Sequence, residues 1–200
     1  MRYRREEIVV RALETLDAYG LADLTMRRLG TELGVQPSAL YHHFANKQTL
    51  LAAMADELLR RAAWPTEGEW VDRAAAICSV LREQLLAYRD GAELVATVHS
   101  FGLGAVEPVE LLEKVLAEGE IGELAPTAVR TLLHFVYGHA VDEQTHRQAA
   151  EVGAIGDSPR GGDAGDDFAA GLSIVIAGIQ VVRAARPCGA LPHPDPVSAG

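Results

Sequence analysis

Several things are scarce in this 200-residue chain, and each scarcity removes a class of protein. Two cysteines, Cys78 and Cys188, are too few for a disulfide framework. Cys78 sits in an apolar helical pattern, as a core thiol does, and Cys188 in a Pro/Gly-rich tail. Strand signals are absent, with no alternating β-branched run and no Asn-Gly hairpin. The longest apolar stretch, Phe168 to Val182, spans 15 residues and contains Ser173 and Gln180. That is short of the ~20 residues a membrane-crossing helix needs. Behind the N-terminal MRYRREE there is no apolar segment of the signal-peptide kind. Enzyme signatures are missing too: no nucleophile elbow, no phosphate-cradling glycine motif, and a Gly161-Gly162 pair that belongs to a polar loop. The expectation is a soluble, cytoplasmic, all-α protein that is not an enzyme, needs no cofactor and has no membrane partner.

Positive charge is also short, at a net −10, which at first argues against nucleic acid. The distribution changes that reading. Residues 1–61 hold nine Arg/Lys against eight Asp/Glu, whereas residues 62–200 hold nine against twenty. A near-neutral head with clustered arginines on an acidic body is compatible with specific DNA binding.

What is present is concentrated in residues 24–51, LTMRRLGTELGVQPSALYHHFANKQTLL. Thr25 is placed as an N-cap, followed by Met26, Leu29 and Leu33 at helical spacing with Arg27 and Arg28 between them. Gly34 allows the chain to leave that helix through a left-handed residue. Gln36 and Pro37 open the next one, Pro37 suiting the first helical position. Leu40 and Phe44 point inward, which leaves Ser38, Ala39, Tyr41, His42 and His43 facing out. Asn46 then caps a helix beginning at Lys47. Two short helices joined by a tight turn form a helix-turn-helix, whose second helix enters the major groove of DNA.

These residues resemble the N-terminal domain of the tetracycline-repressor (TetR) family of one-component regulators. The matching pieces are Leu24–Thr25, Gly34–Val35, the LYHHF of Leu40 to Phe44, and Asn46–Lys47, with IVVRALETLDAYG as the supporting first helix ending at Gly20. The resemblance implies a homodimeric repressor on palindromic double-stranded operator DNA. A small-molecule effector releases it by moving the helix that leaves the head. The DNA-contact set is then Thr25, Arg27, Arg28, Gln36, Pro37, Ser38, Ala39, Tyr41, His42, His43 and Lys47. Arg27 and Lys47 have the reach to meet bases or phosphates, and Tyr41 and His43 to set the helix on the backbone.

The body reads as helices over Trp70–Ala87, Val109–Ala117, Thr127–Ala149 and Phe168–Ala185, with Asp90 as a cap after the Tyr88–Gly91 break. The domains expected are residues 1–46 for DNA and 47–186 for ligand binding and dimerisation. Within the second, residues 47–63 form a connecting helix; residues 152–167 read as a mobile loop and 187–200 as a disordered tail. The last helix is apolar nearly all round, with Gly171 and Gly178 on one face, so it needs covering on two sides. A four-helix dimer interface with Thr127–Ala149 supplies that cover.

Candidate ligand residues are Trp64, Trp70, Cys78, Leu81, Val95, His99, Phe101, Leu112, Leu116, Leu133, His134 and Tyr137, a weakly polar set suited to a planar or lipophilic molecule. In the body the resemblance is to the tetracycline repressors themselves, through Arg89 to Ala92, Gly68 to Trp70, and Asp142-Glu143-Gln144 with His146. The positions where those proteins keep two ligand-binding histidines fall on Ala63 and Val95, so magnesium–tetracycline recognition does not carry over. His99 stands one turn after Val95 as a polar substitute. Separately, His139, Glu143 and His146 lie at i, i+4 and i+7 on one flank, a spacing for metal ligands. The alternative is therefore a metal-sensing or ligand-binding helical module whose N-terminal helices serve protein contacts.

Overall fold

The computed structural model describes residues 3–155 and 164–185, and among these there are nine α-helices and no strand. The head is α1 (Arg5–Tyr19), α2 (Met26–Leu33) and α3 (Pro37–Tyr41), and α4 (Lys47–Leu59) leads out of it. The body is α5 (Trp70–Leu86), α6 (Gly91–Ser100), α7 (Glu107–Glu118), α8 (Ala125–Glu151) and α9 (Ala164–Ala184). The tail from residue 187, Cys188, and the stretch 156–163 with Gly161-Gly162 lie outside the described residues.

Local sequence explains the head. The Thr25 side chain accepts a 3.1 Å bond from the Arg28 amide, and Gly34 ends α2 at φ 65. Asn46 and Thr49 form a reciprocal capping box at the start of α4, with the Asn46 side chain accepting from Thr49 N–H at 2.9 Å. Leu40 and Phe44 are 1% and 2% exposed, sealing α3 into the head. One hydrophobic cluster runs unbroken from Ile8 through Met54 and Leu58 to Leu81, Leu132 and Ile176. Helix α4 belongs to both ends of it, packing on α1 in the head and on α6 in the body.

Five features differ from expectation. Helix α4 stops at Leu59 rather than Ala63: Arg60 and Arg61 continue as a turn, both paired with Glu57, and Pro65 disfavours helical backbone at Trp64. Helix α8 begins at Ala125, where Pro126 fits the first turn. Helix α9 begins at Ala164 instead of Phe168, with Asp166 and Asp167 in its first turn against the positive end of the helix dipole. At 21 residues, α9 is long and apolar enough, by length and composition, to cross a membrane, which the 15-residue stretch alone did not suggest. Asp90 does stand before α6, but in the left-handed region at φ 55, and its side chain makes no cap bond.

The small-residue face of α9 also divides. A Cβ on Gly171 would meet the Phe135 ring of α8 at 2.7 Å, so that glycine serves packing within the subunit. Gly178 faces open space.

Candidate nucleic-acid interface and ligand region

Helix α3 is five residues long and polarised. Leu40 locks its inner side, while Ser38, Ala39, Tyr41 and His42 are exposed, Tyr41 by 51%. Gln36, at the N-cap, spends no side-chain bond on the cap and is exposed. Pro37 is half-buried, close to Gly30 in α2. Arg27 and Thr25 are exposed on the adjoining helix, and Lys47 is half-buried at the start of α4. Most of the expected DNA set is therefore exposed on α3 and on the adjoining end of α2.

Two members depart from it. Arg28 turns back onto α1, its guanidinium 4.4 Å from the Tyr19 ring centroid and 3.6 Å from Asp23, so it braces the head. His43 is half-buried in a cleft of about 550 Å³ shared with Tyr3, Ile8, Val35 and His42. Tyr3 gave no signal in the sequence, because it precedes the first helix.

A polar joint connects head and body. The Asp90 carboxylate accepts from Leu21 N–H at 2.7 Å with one oxygen and from Gln148 Nε2 at 2.7 Å with the other. Beside it, Asp17 of α1 accepts from Arg89 N–H at 3.0 Å. Gln144 of α8 is buried, accepting from Ala92 N–H and donating to Tyr88 C=O. The close approach requires Gly20, where a Cβ would stand 2.7 Å from Asp90 Oδ2. None of Asp17, Asp90, Gln144 or Gln148 stood out in sequence as a joint, since each partner lies at least 52 residues away.

In the body, Cys78, Leu81, Val95, Leu112, Leu116, Leu133 and Tyr137 are buried. His99 is half-buried, its ring 5.2 Å from that of Tyr137. Burial, then the nearby His134, lowers the His99 pKa below 6.5. Phe101 does not join them: it is 61% exposed, because α6 ends at Ser100 and the chain turns outward. His134 is exposed as well. Trp70 is half-buried against Gly119 with the Arg183 guanidinium 5.7 Å from its ring. Trp64 is half-buried, its Nε1 without a partner.

The Glu143 carboxylate of the metal-ligand spacing is engaged by arginines in the structure. No group of three His, Cys, Asp or Glu able to hold an ion occurs among the described residues. The Glu143 carboxylate is occupied by Arg82 at 2.6 Å and Arg147 at 2.8 Å. His139 Nδ1 stays 3.9 Å from it, with its ring among Phe135 and Phe168. His146 is not brought into a ligand set with them.

Comparison with known proteins bears on this arrangement directly. Residues 8–54 match the model for bacterial regulatory proteins of the tetR family, and residues 64–160 match the tetracyclin repressor-like C-terminal domain. The chain belongs to the TetR family. Its similarity to the class G tetracycline repressor protein of Vibrio anguillarum is 34% identity, over 68% of this chain and 67% of that one. The solved structure of Mycobacterium smegmatis BioQ superposes with a TM-score of 0.82 at 38% identity, covering 90% of this chain and 99% of that one. A BioQ bound to its double-stranded DNA operator superposes with a TM-score of 0.76 at 37% identity, with the same coverage.

As a TetR-family member the protein is a helix-turn-helix transcriptional regulator that binds operator DNA, not an enzyme. Dimerisation and response to small molecules are properties of the family. Arg89 to Ala92, within the matched C-terminal domain, includes the turn that forms the joint with the head.

Proposed function

We propose that the protein is a cytoplasmic repressor that binds a palindromic operator as a homodimer and leaves it when a small, largely apolar effector enters the body. The observation that carries the DNA side is the polarity of α3, with Leu40 buried and Ser38, Ala39, Tyr41 and His42 exposed, as Arg27 is on α2. Arg27 reads a base or grips a phosphate; an Arg fork on guanine is worth about 1–3 kcal/mol of discrimination. The Thr25 hydroxyl, already accepting from Arg28 N–H, keeps its proton to donate to a phosphate. Tyr41 and His43 position the helix, and Gln36, Pro37, Ser38, Ala39 and His42 fill or read the groove. Lys47 meets the backbone, and Arg28 acts by holding α2 in place.

The dimer reading draws on α9. Phe168, Leu172 and Ile176 are buried against the body, yet Ile174, Val181 and Val182 are exposed by 74%, 66% and 46%. A groove of about 320 Å³ lies between α9 and the start of α8, bounded by Val175, Gly178, Ile179, Thr127 and Thr131. A second copy of α8 and α9 would cover that face and make a four-helix interface. Two recognition helices about 34–36 Å apart would then enter successive major grooves.

Residues 1–46 act as the DNA unit and 47–186 as the ligand and dimerisation unit. Because α4 packs on both α1 and α6, a shift of α6 reaches the head through it. A ligand acts through its differential affinity for the two head positions.

The test is selection of random duplexes by the purified protein, followed by sequencing. An inverted repeat is the expected result. Absence of enrichment at low salt would overturn the DNA reading.

A further inference from the structure

Tyr3 precedes the first helix, yet the fold sets it beside α3. It is half-buried and packed on the core of the head. Together with α3 it bounds the cleft of about 550 Å³. Ile8 and Leu40, both 1% exposed, and Val35 supply an apolar floor. Ala39, His42 and His43 border the cleft from α3 and the turn after it, and Ala39 and His42 are exposed. The cleft is therefore continuous with the recognition surface of α3.

Charge singles it out. The chain carries 28 Asp/Glu against 18 Lys/Arg. Two other clefts along α1 have carboxylates in their lining, Glu6, Glu7 and Glu14 in one and Glu6, Asp56 and Glu57 in the other. No Asp or Glu lines the cleft between Tyr3 and α3, so a polyanion entering it meets no like charge there. Its polar side chains are a phenol and two imidazoles, each with an O–H or N–H to donate. Half or more of protein–DNA hydrogen bonds go to phosphate and sugar oxygens, and tyrosine is one of the usual donors. The aliphatic floor suits the C–H face of a deoxyribose.

We infer that the sugar–phosphate backbone of the operator seats in this cleft, and that Tyr3 is a DNA-contacting residue outside the helix-turn-helix, its hydroxyl donating to a phosphate oxygen beside His43. This rests on the reading of α3 as the helix in the groove and adds a point of attachment just before α1. Because Tyr3 is packed on the core, the contact fixes the angle at which α3 enters the groove. It carries no sequence information of its own.

The experiment uses the full chain, the inverted repeat recovered by duplex selection and a scrambled duplex of the same length. Tyr3→Phe keeps the ring and removes only the hydroxyl. It is expected to bind both duplexes about tenfold more weakly and to leave the salt dependence unchanged, since a neutral donor releases no counterion. Its thermal midpoint is expected to match the parent's. Ethylation of single phosphates locates the contact: one modified phosphate in each half-site should weaken the parent and have no further effect on the variant. If the ring only packs, Tyr3→Phe binds both duplexes as the parent does, and that result overturns the inference. So does a loss confined to the inverted repeat, which would make Tyr3 a reader of bases, or an ethylation pattern identical in the two proteins. Selection separates the two failures. A protein that enriches an inverted repeat and is indifferent to Tyr3→Phe loses only this contact. One that enriches no duplex loses the repressor reading, and the contact with it.

Discussion

Asp90 Oδ1 accepts a 2.7 Å hydrogen bond from Gln148 Nε2, and through it the turn beneath the DNA-binding head is tied to the long helix α8. The other oxygen of the same carboxylate holds Leu21 N–H. A residue at φ 55 without a glycine's freedom is kept there by what its side chain touches.

That shared carboxylate gives the first prediction. Asp90→Ala and Gln148→Ala should each lower the unfolding free energy by about 1–2 kcal/mol. The double variant should cost less than the two together, because both remove one contact. Urea unfolding of the four proteins measures this, and strict additivity would show that the two side chains do not interact.

The two neighbouring arginines of α2 should behave differently. Arg27→Ala should lose about 1–3 kcal/mol of operator affinity and keep the parent's thermal midpoint. Arg28→Ala should lose about 0.5–1 kcal/mol of stability, from its packing over Tyr19. Fluorescence anisotropy with a labelled operator and thermal melts separate the two effects.

Gly30 should be intolerant of any side chain. A Cβ there would stand 2.9 Å from the Val35 carbonyl oxygen and 3.4 Å from Pro37 N, where the turn between α2 and α3 folds over it. Gly30→Ala should cost about 1–3 kcal/mol of stability and misplace α3. Parent-like operator binding by this variant would contradict the tight turn.

Acid should weaken the fold through His99. Its folded pKa lies below 6.5, so as pH falls the unfolded chain takes up the proton first. Stability is therefore lost from about pH 7 downward until the folded value is passed. The thermal midpoint of His99→Gln should fall less than the parent's over that range.

The exposed face of α9 should be needed for assembly. Ile174→Asp with Val181→Asp should give a folded monomer by sedimentation and weaken operator binding at least tenfold, since each half-site would then be bound alone. A variant that remains dimeric would place the interface elsewhere.

The sequence was most legible where its signals are local. Thr25, Gly34, Pro37 and Asn46 each act on backbone within a few residues, and each does in the structure what its chemistry implies. Leu40 and Phe44 were readable as inward residues because helical spacing fixes a face. The length of α4 was not, since the chain leaves the helix after Leu59, several residues before Pro65, with no glycine or proline there to mark the end.

Spacing alone also suggested groupings whose members the fold employs differently. His139, Glu143 and His146 share a helix flank, but Arg82 from α5 reaches Glu143 and takes the carboxylate. Phe101 follows the α6 pattern by one residue and turns to solvent. Gly171 and Gly178 look equivalent along the chain, and only the position of Phe135 distinguishes them.

By itself, then, the sequence determined the helical class, the helix-turn-helix and its outward residues, because caps, turns and amphipathic faces are set by neighbours in the chain. Tertiary structure decided which arginine is free to meet DNA, where Asp90 spends its carboxylate and that Tyr3 shares a cleft with His42 and His43. Those outcomes depend on groups dozens of residues apart arriving beside one another, or failing to, and no local pattern records that.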